Sequence, residues 1–246
     1  MPIDYARNYE KELVNWDNIF KYLNQFPLFH NNKTQQKFLE AWKKEIIRSE
    51  NQSYQNFSMK VISENEHFPL KILFGGNWLG WSALNIDKIE TIIYNEYNQE
   101  LPVKISISQF LDEHKHLEGK TWFEPTDKII YYPKRVGEFS YIPILVFNPS
   151  FPYPFSAVID GSHRVKTAVS ENHSDISAYL ITEAFLFSHP EIFMDEFSRS
   201  IFLFCCDLIY FHNKKHLSDY VLPSKFSKHL QEDSCLFHFL NISWLE

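Results

Sequence analysis

Glycine is scarce in this 246-residue chain, with 6 against 12 prolines, and cysteine and methionine number only 3 each. Two of the three cysteines, Cys205 and Cys206, are adjacent, and neighbouring cysteines rarely bridge each other. The third, Cys235, gives no metal-like spacing with them, so a reducing cytoplasm is the expected compartment. Positive charge is also short: Lys and Arg total 24 against 31 Asp and Glu, a formal charge of -7. Tight nonspecific binding to nucleic acid rests on clustered cations, and no dense basic run occurs, so nucleic acid is not the expected partner. Long apolar runs are missing as well. Ile201 to Phe211 is the most apolar stretch, but it contains Asp207 and is much shorter than the ~20 residues a membrane span needs. The opening Met-Pro-Ile-Asp-Tyr-Ala-Arg has no apolar core of a signal peptide. A soluble, cytoplasmic protein without a membrane association is the expectation.

What the chain has in quantity is aromatic surface. Phe, Trp and Tyr make up 17 % of the residues, Phe alone contributing 23, within a hydrophobic total of 44 %. Large rings bury much area each, so core packing is the first role expected of nearly all of them.

In order along the chain, Leu13, Trp16, Ile19, Phe20 and Leu23 keep helical spacing from about Tyr5 to Asn24, and Pro27 interrupts it. Phe38, Leu39, Trp42, Ile46 and Ile47 predict an amphipathic helix over Lys33 to Ser49, followed by a polar connector at Asn51 to Asn56. Phe57 to Leu73 reads as extended segments. Phe74-Gly75-Gly76-Asn77-Trp78-Leu79-Gly80-Trp81 then holds half of the glycines and reads as a loop. It lacks the Lys and Ser or Thr of a phosphate-binding P-loop, and it either binds a ligand or simply turns and buries its tryptophans. Asn85 to Asn98 is predicted helical, Val103 to Ile107 alternates as a half-buried strand, and Ser108 to His114 reads as a capped turn or short helix. Strands are expected at Lys128 to Tyr132, Tyr141 to Phe147 and Asp175 to Ile181. Beyond Thr182 the pattern is helical, with a start at His189-Pro190-Glu191, a strongly apolar helix from Ile192 to Phe211, a break at Pro223 and a last helix over Lys225 to Leu240.

The stretch with the most chemistry is Ser156 to Val169, in which Val158 and Ile159 favour extended backbone, Gly161 tolerates turn dihedrals, and a helix begins at once. A helix N-terminus offers unpaired N–H groups and a partial positive charge, and Ser162, His163 and Arg164 stand in its first turn. That combination suits a phosphate or another anion. Arg164 carries a fork of donors matched to phosphate oxygens, and His163 can donate to an anion or move a proton. The alternative is an Asp-Gly turn followed by a helix whose Arg pairs with a surface carboxylate.

Asp160, Gly161, His163, Arg164 and Ala168, set between an apolar strand and a helix, resemble the signature of the ParB/sulfiredoxin superfamily. The resemblance spans about Leu101 to Glu183. It implies an α+β architecture: a ParB/sulfiredoxin-like mixed sheet with helices over residues 101–183, flanked by a mostly helical region at 1–100 and a helical region at 184–246. It also implies a nucleotide such as ATP, ADP or CTP held by Gly161, Ser162, His163 and Arg164. Members with a catalytic cysteine carry it where this chain has Ser162, and a hydroxyl without an adjacent base is a far weaker nucleophile than a thiolate, so sulfinate reduction is not carried over. The CTP-binding pattern, an acidic residue and two arginines, is met only in part. Relatives that phosphorylate small molecules such as free serine need a carboxylate base and usually Mg2+. Asp160, Ser162 and His163 are therefore the candidate catalytic residues, with Asp112 or Glu113 as weaker carboxylates. His114 and His116 have no Cys or acidic partner at metal-ligand spacing, so no resident metal site is expected. Two functions follow: a nucleotide- or phosphate-binding protein with possible phosphotransferase or nucleotide-hydrolase chemistry on a phosphorylated small molecule, or a non-enzymatic interaction protein such as an antitoxin, immunity or phage accessory factor with a protein partner.

Overall fold

The computed structural model describes residues 15–56, 67–74, 77–96, 102–108, 123–125, 143–148, 157–214 and 226–245. The expected strand at Lys128 to Tyr132, the candidates Asp112, Glu113, His114 and His116, and most of the Ser108 to His114 turn lie outside these residues. Within them the protein is α+β, with helices and two small sheets.

The helices α1 (Trp16–Leu23) and α2 (Asn32–Asn56) form the N-terminal layer. Asn15 caps α1, its side chain accepting from the Asn18 N–H at 3.1 Å, and Asp17 in the first turn and Lys21 in the last complement the helix dipole. The expected polar connector at 51–56 is instead the end of α2. Its polar residues continue the helix because Ser53 is buried and accepts the Phe197 N–H at 3.1 Å, a contact that sequence spacing cannot reveal.

Strands β1 (His67–Phe74) and β2 (Asn77–Asn85) form an antiparallel hairpin, and β4 (Phe123–Pro125) adds to the outer side of β1. Here the expected loop at 77–81 is corrected to strand. The register advances from Ile72 opposite Gly80 to Leu73 opposite Trp78, which leaves Leu79 as the extra residue of a bulge. A glycine inside a strand frequently marks such a bulge, so Gly80 serves the bend of a strand. The described residues of region 1–100 are accordingly helical with two strands of a three-stranded sheet, whose third strand comes from residues 123–125. Helix α3 (Ile86–Glu96) follows directly, and Asn85 caps it by accepting the Lys88 N–H at 3.0 Å.

The second sheet comprises β3 (Val103–Ser106), β5 (Ile144–Phe147), β6 (Ala157–Asp160) and β7 (Asp175–Ile181), in the order β3-β7-β5-β6. β5 runs parallel to β7 and antiparallel to β6, while β3 pairs antiparallel with β7. Helix α4 (Ser162–Ser170) connects β6 to β7. Side chains alternate across this sheet, and β5 divides accordingly. Ile144 and Val146 join Ile176, Ala178, Val165 and Ala168 in a small cluster beneath α4, whereas Leu145 and Phe147 face the main core.

The C-terminal part consists of α5 (Glu183–Ser188), a 3-10 turn at Pro190–Ile192, α6 (Glu196–Lys214), α7 (Phe226–Glu232) and α8 (Cys235–Leu240). The long apolar helix starts four residues later than its pattern predicts. Phe193 bridges Leu84 and the Met194 N–H bonds the Ala83 carbonyl at 2.9 Å, so strand-like pairing to β2 holds this segment extended. Asp195 then caps α6 by accepting the Ser198 N–H at 2.7 Å. The last predicted helix is divided in two, because Ser234 ends one turn and caps the next.

Helix α6 is the axis of the molecule, with 13 of its 19 residues buried. It packs against α2, both strands of the hairpin and α8. One apolar cluster draws Trp16 to Ile93, then Leu145, Phe147, Ile159 and Ile181, then Leu186 to Trp244 into continuous contact. The boundaries expected near residues 100 and 183 cut through this cluster, and β4 pairs with β1 across the first of them.

Candidate functional site

The turn at the end of β6 has the strand–turn–helix form. Asp160 closes the strand opposite Leu145, Gly161 adopts φ 92° and ψ 17°, and α4 begins at Ser162. Two requirements make residue 161 a glycine. Its φ lies in the left-handed region, and a Cβ there would stand 2.4 Å from Ile144 Cγ2, 2.7 Å from Arg164 Nη2 and 2.8 Å from Arg164 Nε. The absent side chain is the space into which the Arg164 guanidinium folds.

Arg164 reaches back one helical turn and donates from Nη2 to Asp160 Oδ2, an ion pair whose side chains are 19 % and 22 % exposed. Its Nε is buried and has no hydrogen-bond partner among the described residues. The structure therefore brings Asp160, Gly161 and Arg164 together, in the pairing that the plain Asp-Gly-turn reading expects. Ser162 and His163 occupy the first turn of α4 by backbone, but their side chains lie outside the described residues.

Gly161 provides no side-chain cap for α4. The first internal bond of the helix runs from the Val165 N–H to the Gly161 carbonyl at 3.1 Å, so the N–H groups of Ser162, His163 and Arg164 precede the helical ladder. By contrast, Asn15, Thr182 and Ser234 cap α1, α5 and α8 with their side chains. Chemically the turn is a compact array of donors with one carboxylate at its edge. Among the described residues, no group of three His, Cys, Asp or Glu side chains is arranged to hold a metal ion. A cavity of about 380 Å³ between α3, β7 and α5, lined by Ile93, Val103, Tyr179, Leu180 and Phe185 among others, and a second of about 240 Å³ between α6 and α8 are both lined by residues away from the turn.

Sequence reasoning missed two buried polar centres. Glu45 is buried, takes a two-pronged contact from Arg48 at 2.7 Å on each oxygen, and accepts from Ser200 Oγ at 3.1 Å. Arg48 is correspondingly raised above its ordinary value, chiefly by that hydrogen bond. Asp207, noted in the sequence only as an interruption of an apolar run, is 1 % exposed and accepts from Trp42 Nε1 at 3.0 Å and from the Cys235 N–H at 2.7 Å. A charged residue on the buried side of an apolar helix is the signal that marks such a position, since burying it without partners is costly. Cys205 and Cys206 are core residues, as their surroundings predict, and burial pushes both thiols up.

No helix among the described residues is long and apolar enough to cross a membrane. No family model matches this chain, and comparisons with curated proteins and with solved structures return no match.

Proposed function

We propose that this chain is a ParB/sulfiredoxin-like protein that binds a nucleotide or a phosphorylated small molecule at the Asp160 to Arg164 turn. The observation that carries the reading is the start of α4, which has no side-chain cap and has Arg164 folded over a left-handed glycine beside it. A phosphate suits that place because its oxygens accept from backbone N–H groups while Arg164, with Nε buried and unpartnered among the described residues, adds charge-assisted donors. Ser162 and His163 contribute backbone donors, and their side chains, with Asp160, are the groups available for proton handling in phosphotransfer or nucleotide hydrolysis. Mg2+ fits less well. Asp160 is the single carboxylate described at the turn, and Arg164 already engages it, so no step is assigned through a metal.

The Asp160–Arg164 pair also favours a second reading, in which the turn is structural and the chain is a non-enzymatic interaction protein. Calorimetric titration with ATP, ADP, CTP and inorganic phosphate separates the two. Arg164→Ala should weaken binding by roughly 1.5 to 3 kcal/mol, beyond what loss of the half-buried ion pair with Asp160 does to stability in denaturation of the same variant. Arg164→Lys should recover only part of the affinity because the fork geometry is lost. If Ser162→Ala abolishes turnover while binding is kept, the hydroxyl has a chemical role. Wild-type protein that gives no heat with any of these ligands, or Arg164→Ala that binds as tightly as wild type, leaves the interaction-protein reading in its place.

A further inference from the structure

A second acid of interest lies outside the turn. Asp207 lies in the middle of α6, and its two carboxylate oxygens take donors from different elements: Oδ2 from the Trp42 indole of α2, and Oδ1 from the Cys235 N–H at the start of α8. It also forms part of the wall of the 240 Å³ cavity between α6 and α8. Residues 234–245 are held on from there. Trp244 donates from Nε1 to Ser234 Oγ at 2.9 Å and packs its ring against Phe29 and Phe38.

We propose that Asp207 is a proton-operated latch for this C-terminal segment, closing α8 onto α6 when protonated and loosening it as the proton is lost. The two forms of the acid are stabilised by different features. Burial favours the neutral form, whereas the two N–H donors favour the carboxylate. Burial prevails: it raises Asp207 from an ordinary value of 3.8 to about 7, against the opposing pull of the Cys235 and Trp42 hydrogen bonds. Swinging α8 away would open Asp207 to water and return it to ordinary acidity. Opening therefore releases a proton at any pH between those two values. The sign follows: the closed state has its full advantage below about 3.8, loses it as pH rises toward about 7, and is insensitive above that.

Several ionisable groups face Asp207 from the elements packed around it. On α6 its neighbour Cys206, and on α8 Cys235, are thiols pushed up by burial and stay protonated. From α5, Glu183 is buried near Cys206; from α2, Glu45 is engaged by Arg48 and Ser200. Along the cavity rim stand Tyr210, Glu232, Asp233 and His238, and Asp233 is taken by Tyr210 at 2.9 Å and Lys214 at 2.8 Å. His238 is the rim group to be controlled for.

The test is hydrogen exchange of the full chain, corrected for intrinsic rates, at pH 5 to 8. Protection of the amides of residues 235–240 should fall about tenfold per pH unit up to about 7 and then level off, because one proton leaves with each opening. Asp207→Asn should flatten that dependence, whereas His238→Gln should preserve it. Trp42→Phe, which removes one donor to the carboxylate and keeps an aromatic ring, should move the plateau to higher pH. Should Asp207→Asn fail to fold, the carboxyl-carbon shift of wild-type Asp207 read by NMR still decides: a midpoint near 7 supports the latch, and one below 5 overturns it. Protection that is flat across this range, or an equal slope in the amides of α6, which would mean global unfolding, overturns it too.

Discussion

Around α6 the core is built from rings: Phe204 lies 5.4 Å from Phe20 and 5.2 Å from Trp42, and Phe211 lies 5.3 Å from Phe38. Beneath α4 the cluster consists, among the described residues, of the aliphatic Ile107, Ile144, Val146, Val165, Ala168, Ile176 and Ala178. The polar groups of the two regions differ in the same direction. Asp207 and Glu45 are buried with donors on both carboxylate oxygens, while Asp160 and Arg164 are half-buried with the helix start beside them. The difference teaches where stability and where chemistry reside. The aromatic core ties α1, α2, α6 and α8 to one another, whereas the smaller aliphatic cluster supports the turn at which Arg164 meets Asp160.

The largest expected break of that comparison is Trp42→Ala. Trp42 is 0 % exposed and is also a donor to Asp207, so the variant creates a cavity and removes a partner of a buried acid. A loss of roughly 3 to 5 kcal/mol, or of the cooperative transition altogether, is expected in chemical denaturation. Gly161→Ala comes next. A methyl at that left-handed position collides with Ile144 and with the Arg164 guanidinium, and a loss of roughly 1 to 3 kcal/mol should appear as a lowered melting temperature. Its loss of phosphate binding in calorimetry should exceed what the stability change explains, because Arg164 is displaced from the turn. The smallest effect is expected at Lys43→Ala. Its partner Asp17 has a side chain 81 % exposed, and denaturation should shift by no more than about 0.5 kcal/mol.

Elements whose apolar spacing reports a local requirement were legible in the sequence. Trp16, Phe20 and Leu23 mark α1, Ile86, Ile89 and Ile93 mark α3, and the β6–Gly161–α4 turn follows from Val158, Ile159 and the glycine itself. The misread elements are those whose state depends on a distant partner. Residues 51–56 remain helical with Ser53 bonded to Phe197, residues 193–195 remain extended with Phe193 bridged to Leu84, and Asn77 to Trp81 is a strand through its pairing with β1.

By itself the sequence determined the aromatic core, the positions of several short strands and the presence of a glycine-hinged helix start carrying Arg164, because each depends on residue type and near-neighbour spacing. Only the tertiary structure decided what those residues meet. That Arg164 folds onto Asp160 through the space left by Gly161, and that Asp207 joins α2, α6 and α8, are matters of contact between segments, up to 165 residues apart in the case of Trp42 and Asp207. A carboxylate in an apolar run states that it must find donors. Which donors it finds is set by how the helices pack.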